Sequence, residues 1–223
     1  MKEALLNWYD KNKKPMPWRL NVDPYRIWIS EVMLQQTQVT TVIPYYEKWM
    51  YQFPSVDTLA QADIDDVLKL WEGLGYYQRA HNIKKTAEII MNELEGDFPS
   101  NETLKALPGI GEYIYSAIMS IAFNAPTPVI DGNVKRVGSR FWEQQFINAR
   151  DIKDLRVRLE EQISKKRAGC FNQAMMDLGR EICKPINPEC NQCPISSNCQ
   201  SFQNKTIKLY PYKPKKKKIP LFD

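Results

Sequence analysis

Residues 102–140 read ETLKALPGIGEYIYSAIMSIAFNAPTPVIDGNVKRVGSR, and this stretch organises the rest of the chain. Its first half contains LPGIG at residues 107–111, a short turn between two segments of helical periodicity. Gly109 and Gly111 carry no Cβ, so a bound molecule can approach the backbone closely. The free N–H groups at the start of the following helix favour an anion such as phosphate. A plain turn between two helices is the equally weighted alternative.

The second half contains Asp131, which lies twenty residues after Gly111. A helical pattern from Val134 to Phe141 follows, so Asp131 is expected to cap that helix. Capping is the ordinary role of an Asp in this position. Together with a phosphate-binding turn, however, a carboxylate just beyond the next helix suggests a catalytic site that acts on DNA.

Apolar residues recur at helical spacing along the chain and are interrupted by Pro, Gly and Asp. We find no alternating strand pattern of useful length and no internal repeat, so the predicted fold class is all-α. The predicted helices cover residues 2–10, 25–37, 39–51, 56–62, 64–71, 79–94, 101–106, 113–123, 134–141, 152–163 and 171–182.

Length and composition predict an ordered protein of one or two domains. A chain of 223 residues is long enough for a real core, and six Trp with eleven Tyr exclude global disorder. The apolar runs are too short to cross a membrane. Lys2, Glu3 and Asn7 interrupt the start, so we expect no signal peptide. A cytoplasmic, nucleoid-associated monomer without a membrane partner is therefore the expectation.

The net charge of +5 is concentrated at the end of the chain. Residues 205–223 hold seven Lys against one Asp, whereas residues 1–204 hold 24 basic and 25 acidic residues. The body is therefore not globally basic, and any DNA-binding surface must be a local patch.

Glu31 lies in the second predicted helix among Ile, Trp, Val, Met and Leu residues. Burial among apolar side chains would raise its pKa, which suits a general acid. The alternative is a partnered structural Glu or an exposed edge position. Gln35, Gln36 and Gln38 are predicted to follow on the same helix, as groups that read base edges or as an ordinary solvated face.

A second glycine turn, GLGYY at residues 73–77, carries two aromatic side chains. Tyr76 and Tyr77 are interpreted either as core residues or as a wedge that replaces a base leaving the duplex. The cationic residues behind them are phosphate contacts or a solvated helix face: Arg79, His81, Lys84 and Lys85.

Four cysteines near the end of the chain follow the spacing C-x6-C-x2-C-x5-C, at Cys183, Cys190, Cys193 and Cys199. Their loop is rich in Pro and too poor in apolar residues to form its own core. Disulfides are disfavoured in a reducing cytoplasm. Cysteine chemistry alone leaves zinc and a [4Fe–4S] cluster open, with zinc slightly favoured. Cys170 falls outside the spacing and is expected to be a buried thiol.

LPGIG, the helix after it and VIDGNVKRV resemble the helix-hairpin-helix DNA glycosylases, and among them the adenine-specific MutY family. SEVMLQQTQV at residues 30–39 is similar to the catalytic helix of that family, and Glu31 falls on its catalytic Glu. The glycine turn, PWR at 17–19, FNQAMMD at 171–177 and the cysteine spacing extend the resemblance over nearly the whole chain.

The resemblance assigns a role to each candidate residue. It implies that Glu31 protonates adenine and that Asp131 stabilises or traps the sugar cation, assisted by Tyr113 and Asn133. The implied DNA-binding residues are Gln36, Tyr76, Gly109, Gly111 and Arg19. The implied base pocket is formed by Trp18, Leu34 and Gln173. A [4Fe–4S] cluster is implied on Cys183, Cys190, Cys193 and Cys199.

The implied activity is excision of adenine opposite 8-oxoguanine or guanine in duplex DNA. Strand nicking is not expected, because Tyr113 stands where lyase relatives carry Lys. The alternatives are a glycosylase for thymine opposite guanine or for oxidised pyrimidines, or a DNA-binding protein without catalysis and with a structural metal loop. DGNV after the hairpin and LQQTQ favour adenine.

The implied architecture is two helical lobes with the DNA and base pocket between them. Residues 20–126 are predicted to form a six-helix lobe. Residues 1–19 and 127–204 are predicted to form the cluster lobe. Residues 205–223 resemble the start of a linker to a domain that reads 8-oxoguanine, and we expect this tail to be disordered. Without that domain, the preference for 8-oxoguanine over guanine is expected to weaken.

Overall fold

The computed structural model describes residues 1–212, and the regular secondary structure of this range is entirely helical. The α-helices are α1 (Lys2–Asn12), α2 (Pro24–Met33), α3 (Val39–Gln52), α4 (Val56–Gln61), α5 (Ile64–Trp71), α6 (Gln78–Glu93), α7 (Thr103–Ala106), α8 (Glu112–Ile121), α9 (Gly132–Phe141), α10 (Ala149–Gln162), α11 (Ala168–Glu181) and α12 (Gln200–Gln203). Short 3-10 turns occupy Pro17–Arg19, Cys190–Gln192, Ser196–Asn198 and Ile207–Leu209. The all-α prediction is confirmed.

Each of the eleven predicted helices is present, and only one end differs by more than three residues. The second helix, predicted to reach residue 37, ends at Met33. Gln36 has φ +59°, a left-handed conformation that a right-handed helix cannot contain. Gln35, Gln36 and Gln38 therefore lie in the α2–α3 turn, and the prediction that they continue the helix is wrong.

The first lobe is a helical core that contains α2 to α8. Three Trp side chains, Trp28, Trp49 and Trp71, are fully buried at its centre. Trp49 packs edge to face on Trp71 with 5.6 Å between ring centroids, a favoured aromatic arrangement. Within this core α2 packs on α8 and α4 packs on α6. The catalytic helix proposed from the sequence therefore lies directly beside the helix that follows the hairpin turn.

The second lobe combines the start of the chain with its later part. Leu5 and Leu6 of α1 join a core built by α9, α10, α11 and the cysteine loop. Phe171 and Leu178 of α11 are fully buried in this core. Met16 and Trp18, which we assigned to this lobe, pack instead in the first core.

The lobes meet where α11 crosses the end of α8. At Gly169 an added Cβ would lie 2.7 Å from the carbonyl oxygen of Ser120 and 2.8 Å from Cα of Ile121. Asn124 reinforces the crossing, since its Oδ1 accepts from the Ala168 N–H at 2.8 Å. This close contact joins the two lobes beside the cleft between them.

The first part of the predicted tail is attached to the second lobe and is not free. Arg140 Nε donates to the Tyr210 carbonyl at 2.8 Å, and the Tyr212 N–H donates to Gln145 Oε1 at 2.7 Å. Residues 213–223, with their run of lysines, lie outside the described residues. Among residues 1–212 no helix has the length and apolar character that a bilayer crossing needs.

Replacing Gly169 with Ala tests the crossing of α8 and α11. The new methyl group meets backbone atoms that cannot rotate away, so we expect the free energy of unfolding to fall by about 1–3 kcal/mol. Urea denaturation measures this change. Gly132→Ala is the matched control, because nothing lies within 4 Å of its added Cβ. Equal unfolding midpoints for the two variants would contradict the tight crossing.

Candidate active site between the lobes

A cavity opens between the two lobes, and side chains from both lobes line it. Glu31 and Tyr113 enter from the first lobe, whereas Asp131 and Asn133 enter from the second. The two carboxylates that were considered separately in the sequence thus face one space. The structure brings together all four residues that were predicted to be catalytic.

Glu31 is buried, with 5% of its surface exposed, on the face of α2 toward the cavity. The Tyr113 hydroxyl donates a hydrogen bond to Glu31 Oε2 at 2.6 Å. Burial raises the pKa of Glu31, while the Tyr113 hydrogen bond and the charge of Arg19 act in the opposite direction. The net shift of the Glu31 pKa is upward, so its carboxyl holds a proton more readily than an exposed Glu does. Glu31 is therefore suited to donate a proton.

Tyr113 remains a phenol in this environment. Burial and the adjacent Glu31 carboxylate raise its pKa well above the ordinary value. Its proton therefore stays on the hydroxyl and points to Glu31. The side chain reaches the cavity from the second position of α8, one residue beyond the helix start at Glu112.

Asp131 is the N-cap of α9, as predicted, and also faces the cavity. Its Oδ1 accepts from the Val134 N–H at 2.7 Å, and its Oδ2 accepts from Asn133 Nδ2 at 2.9 Å. The start of a helix favours negative charge. Capping and a chemical role are therefore compatible, because the same contacts orient the carboxylate toward the cavity.

Arg136 extends this support to the cysteine loop, a role that no pattern in the sequence indicates. Its guanidinium donates to Asn133 Oδ1 at 2.8 Å and to the Cys183 carbonyl at 2.8 Å. Gly179 allows α11 to approach α9 closely, since an added Cβ would lie 2.6 Å from the Cβ of Asn133. A chain of hydrogen bonds thus joins Asp131 to the first cysteine of the loop.

The residues predicted for the base pocket, Trp18, Leu34 and Gln173, all line the same cavity. Gln173 Oε1 accepts a hydrogen bond from the Tyr9 hydroxyl at 2.7 Å, which fixes its amide. These three residues therefore surround the cavity that holds the two carboxylates, and their contacts with a base stay a prediction.

Arg19 was predicted to contact DNA, but it lies in the wall of this cavity. Its guanidinium makes two hydrogen bonds to the Asp177 carboxylate, at 2.7 and 3.0 Å. This pairing holds the Arg19 guanidinium in the cavity wall, and its contact with DNA stays a prediction. Asp177 was missed as a site residue, although an acidic residue within the apolar pattern of α11 is a detectable signal.

Gln36 and Tyr76 lie on a second depression beside the cavity, together with Tyr77 and Asp131. Tyr76 is 63% exposed and Tyr77 is 45% exposed, so the alternative that they are core residues is wrong. Both Gln36 and Tyr76 have left-handed backbones, with φ of +59° and +50°. Two exposed side chains on unfavourable backbones are typical of functional positions.

The cationic residues of α6 divide into two groups. His81 and Lys85 are exposed. Lys84 is buried and donates to the Ala60 carbonyl at 2.8 Å and to Glu88. Arg79 also points inward, to backbone carbonyls of the first lobe. Phosphate contacts are therefore wrong for Lys84 and Arg79.

The hairpin turn packs against α6 on one side, while the start of α8 on its other side is accessible. Thr86 Oγ1 donates to the Pro108 carbonyl at 3.0 Å, and Gly109, with φ +77°, would place a Cβ 2.9 Å from Asn82 Cβ. Gly111 is the N-cap of α8, with no side-chain cap and no atom within 4 Å of an added Cβ. The first N–H groups of α8 are thus accessible to an anion.

The four spaced cysteines line one small cavity with Val137, Phe141 and Leu178. Arg140 Nη1 donates to Cys183 Sγ at 3.3 Å, and burial raises the pKa of Cys193 to about 12. Within residues 1–212, however, no three Cys, His, Asp or Glu side chains approach closely enough to bind a single metal ion. Tetrahedral zinc needs sulfurs about 4 Å apart. The four thiols thus share one cavity, and the inorganic group that they would hold stays a prediction.

The sequence profile of the HhH-GPD superfamily base excision DNA repair proteins matches residues 29–161. The chain belongs to this superfamily. The matched region includes Glu31, the hairpin turn and Asp131. The HhH-GPD assignment therefore covers both carboxylates and the elements that hold them.

Among curated HhH-GPD relatives, the chain is similar to adenine DNA glycosylases. The one from Buchnera aphidicola subsp. Baizongia pistaciae is 45% identical over 98% of this chain and 63% of that protein. The one from Rattus norvegicus is 43% identical over 89% of this chain and 41% of that protein. The chain thus spans less than two thirds of the length of these relatives.

Solved structures agree with the fold. A thermostable thymine-DNA glycosylase superposes with a TM-score of 0.82 at 28% identity, covering 90% of this chain and 94% of that one. A non-covalent endonuclease III–DNA complex superposes with a TM-score of 0.75 at 20% identity, covering 92% and 96%. The latter likeness supports the fold alone.

Replacing Glu31 with Gln tests the burial of its charge. A carboxyl whose folded pKa is raised stabilises most below its ordinary pKa of 4.5 and loses that stability as pH rises through the folded pKa. Gln cannot ionise. We therefore expect wild type and variant to have similar stability in acid, and the variant to be more stable at neutral pH. Urea denaturation across pH measures the difference.

Glu160→Gln, an exposed substitution on α10, is the control for this measurement. It removes one negative charge from the surface without changing the buried site. A gain from Glu31→Gln that does not grow with pH would show that Glu31 is not held in a desolvated site.

Proposed function

We propose that this chain excises adenine from duplex DNA in which adenine lies opposite 8-oxoguanine or guanine. The observation that carries the proposal is the pair Glu31 and Asp131, which face one cavity from opposite lobes. One carboxyl is buried with a raised pKa, and the other caps a helix at the cavity wall. A pair of carboxyls in different environments suits cleavage of a glycosidic bond. The adenine DNA glycosylases among the relatives support adenine as the base.

In the proposed reaction Glu31 donates its proton to a ring nitrogen of the extruded adenine. The bond between C1′ and the base then breaks, and both bonding electrons leave with the base. Positive charge develops on C1′ and the sugar ring oxygen, where the Asp131 carboxylate stabilises it. A water oxygen adds to C1′, and its proton returns to the Glu31 carboxylate.

Tyr113 and Asn133 act as positioning residues in this scheme. The Tyr113 hydroxyl orients the Glu31 carboxyl, and Asn133 Nδ2 holds Asp131 Oδ2. Tyr113 is a phenol and offers no amine for a Schiff base. The proposed enzyme is therefore monofunctional and releases the base without nicking the strand.

Double-stranded DNA is the proposed partner, bound across the cleft. Phosphate would contact the open start of α8 at Gly111, supported by Gly109. Gln36 and Tyr76 would enter the duplex and fill the space left by the extruded base. We also propose a cytoplasmic, monomeric protein, with preference for 8-oxoguanine weakened where no further reading domain is attached.

A [4Fe–4S] cluster is the proposed cofactor, held by Cys183, Cys190, Cys193 and Cys199. It would supply structural order to a loop that has little core of its own, with no electron transfer in base excision. The four thiols line one cavity, as a shared inorganic group requires, and the resemblance of their spacing to the cluster loop of the MutY family supports the cluster over zinc. Arg140 donates to Cys183 Sγ and would balance thiolate charge.

A panel of duplexes tests the proposed activity. Single-turnover assays with adenine opposite 8-oxoguanine, adenine opposite guanine, thymine opposite guanine and thymine glycol should give release of adenine only. The thymine duplex is the second candidate substrate, because a thymine-DNA glycosylase superposes closely on the chain. Preferential release of thymine would replace adenine as the assignment.

Glu31→Gln and Asp131→Asn should each lower adenine excision by about 100-fold or more while the protein stays folded. Glu160→Gln and Asp154→Asn are matched controls outside the cavity and should keep wild-type rates. Wild-type excision by either cavity variant would remove that residue from the proposed mechanism.

Metal analysis of protein purified without oxygen tests the cofactor. About four iron atoms per chain and broad visible absorbance are expected. Cys190→Ala should lose the iron, whereas Cys170→Ala, outside the spacing, should keep it. A colourless protein with one zinc ion per chain would contradict the cluster.

A further inference from the structure

Arg79 connects the end of α2 to the glycine turn after α5 by hydrogen bonds to backbone carbonyls. Its Nη1 donates to the carbonyls of Val32, Met33 and Gln35 at 2.8, 3.2 and 2.7 Å. Its Nη2 donates to the carbonyls of Leu74 and Gly75 at 3.1 and 3.2 Å. One guanidinium therefore holds the end of α2 and the glycine turn after α5 at a fixed distance.

Two of the carbonyls that Arg79 binds directly precede the residues predicted to enter the duplex. The Gln35 carbonyl belongs to the peptide unit before Gln36, and the Gly75 carbonyl belongs to the peptide unit before Tyr76. Gln36 and Tyr76 are the two residues of the depression with left-handed backbones. Such backbones are unfavourable for residues with side chains and persist only where the surroundings fix them. Arg79 supplies that fixation to both.

Neighbouring side chains hold the guanidinium itself. It lies over the Trp71 ring at 5.2 Å and over the Tyr76 ring at 5.5 Å from the ring centroids. Trp71 Nε1 donates to the Gly75 carbonyl at 3.0 Å, so the same carbonyl is bound from two sides. Arg79 also meets carbonyls at the end of α2, where a cation is favoured. Lys could not match this arrangement, because it lacks the planar fork.

We propose that Arg79 is a positioning residue that joins Gln36 and Tyr76 into one preformed wedge for extruding the base. This inference rests on the proposed function. A preformed wedge enters the duplex without first ordering two separate loops, so extrusion is faster and the extruded state is more populated. Because the same guanidinium binds the end of α2, the wedge is also fixed relative to Glu31, which lies two residues before the end of that helix.

Arg79→Lys is the first test, with Arg158→Lys as the matched control. Arg158 is a partly exposed Arg that pairs with Asp154 and lies over Trp142, in the second lobe. Fluorescence of 2-aminopurine at the target position reports extrusion, measured in the Glu31→Gln background so that no excision intervenes. We expect Arg79→Lys to lower extrusion and single-turnover excision by about 10- to 100-fold. Arg158→Lys should change either by less than about 3-fold.

A double-mutant cycle separates positioning from loss of general stability. In the background Gln36→Ala with Tyr76→Ala, no wedge remains for Arg79 to position. Arg79→Lys should then lower extrusion by less than about 3-fold more. If Arg79→Lys lowers extrusion in that background as much as it does with Gln36 and Tyr76 present, the proposal is overturned. Arg79 would then act through the fold as a whole. An unchanged extrusion rate in the single variant would overturn it as well.

Gly75→Ala tests the same contact if the Lys variant does not fold. Gly75 has φ +69° with open space around an added Cβ, so Ala strains only the backbone that carries the Arg79 contact. Gly96→Ala is its control, with φ +83° and only Met91 nearby at 3.5 Å. We expect slower extrusion for Gly75→Ala alone, and equal effects from the two would overturn the proposal.

The two proposals fail separately in these experiments. If wild type releases no base from any duplex of the panel, the proposed function fails. The 2-aminopurine signal does not need excision, so it still decides whether extrusion depends on Arg79. If wild type excises adenine and Arg79→Lys behaves like Arg158→Lys, only the positioning role fails.

Discussion

The candidate site depends on the burial of one carboxyl group, that of Glu31, in the wall of the cavity between the lobes. Glu31 is shielded from water, which raises the pKa of its carboxyl, and it lines the same cavity as the carboxylate of Asp131. Apolar neighbours on α2 and in the first core provide the dry environment. Tyr113, on α8, which packs along α2, donates a side-chain hydrogen bond to Glu31 at 2.6 Å. The contact between α2 and α8 is thus the part of the fold on which the site's acid depends.

The second carboxylate is held by different means, because it comes from the other lobe. Asp131 is fixed by the start of α9 and by Asn133, and Arg136 joins this pair to the Cys183 carbonyl. The crossing at Gly169 sets the lobes close enough for both carboxylates to line one cavity. The position of the Asp131 carboxylate therefore depends on three features together. They are the helix cap, the crossing at Gly169 and the contact of Arg136 with the cysteine loop.

Several charged residues near the cleft serve the interior instead of an outer partner. Arg19 pairs with Asp177, and Lys84 donates to the Ala60 carbonyl. Arg79 donates to carbonyls at the end of α2 and in the glycine turn after α5. In the sequence Lys84 and Arg79 are equally compatible with a solvent-exposed helix face, and Arg19 is compatible with a DNA contact. Whether a guanidinium meets a phosphate or a carbonyl depends on which acceptors the fold brings within reach. Helical periodicity does not contain that information.

The helices, the cap at Asp131 and the two candidate carboxylates were predictable from the amino-acid sequence alone. These features depend on contacts between residues a few positions apart, so periodicity and capping chemistry report them directly. The end of α2 at Met33 and the hydrogen bond between Glu31 and Tyr113 became visible only in the three-dimensional fold. The same is true of the inward turn of Arg79. Those outcomes join residues tens of positions apart, and they arise from the packing of one helix on another, which no local pattern encodes.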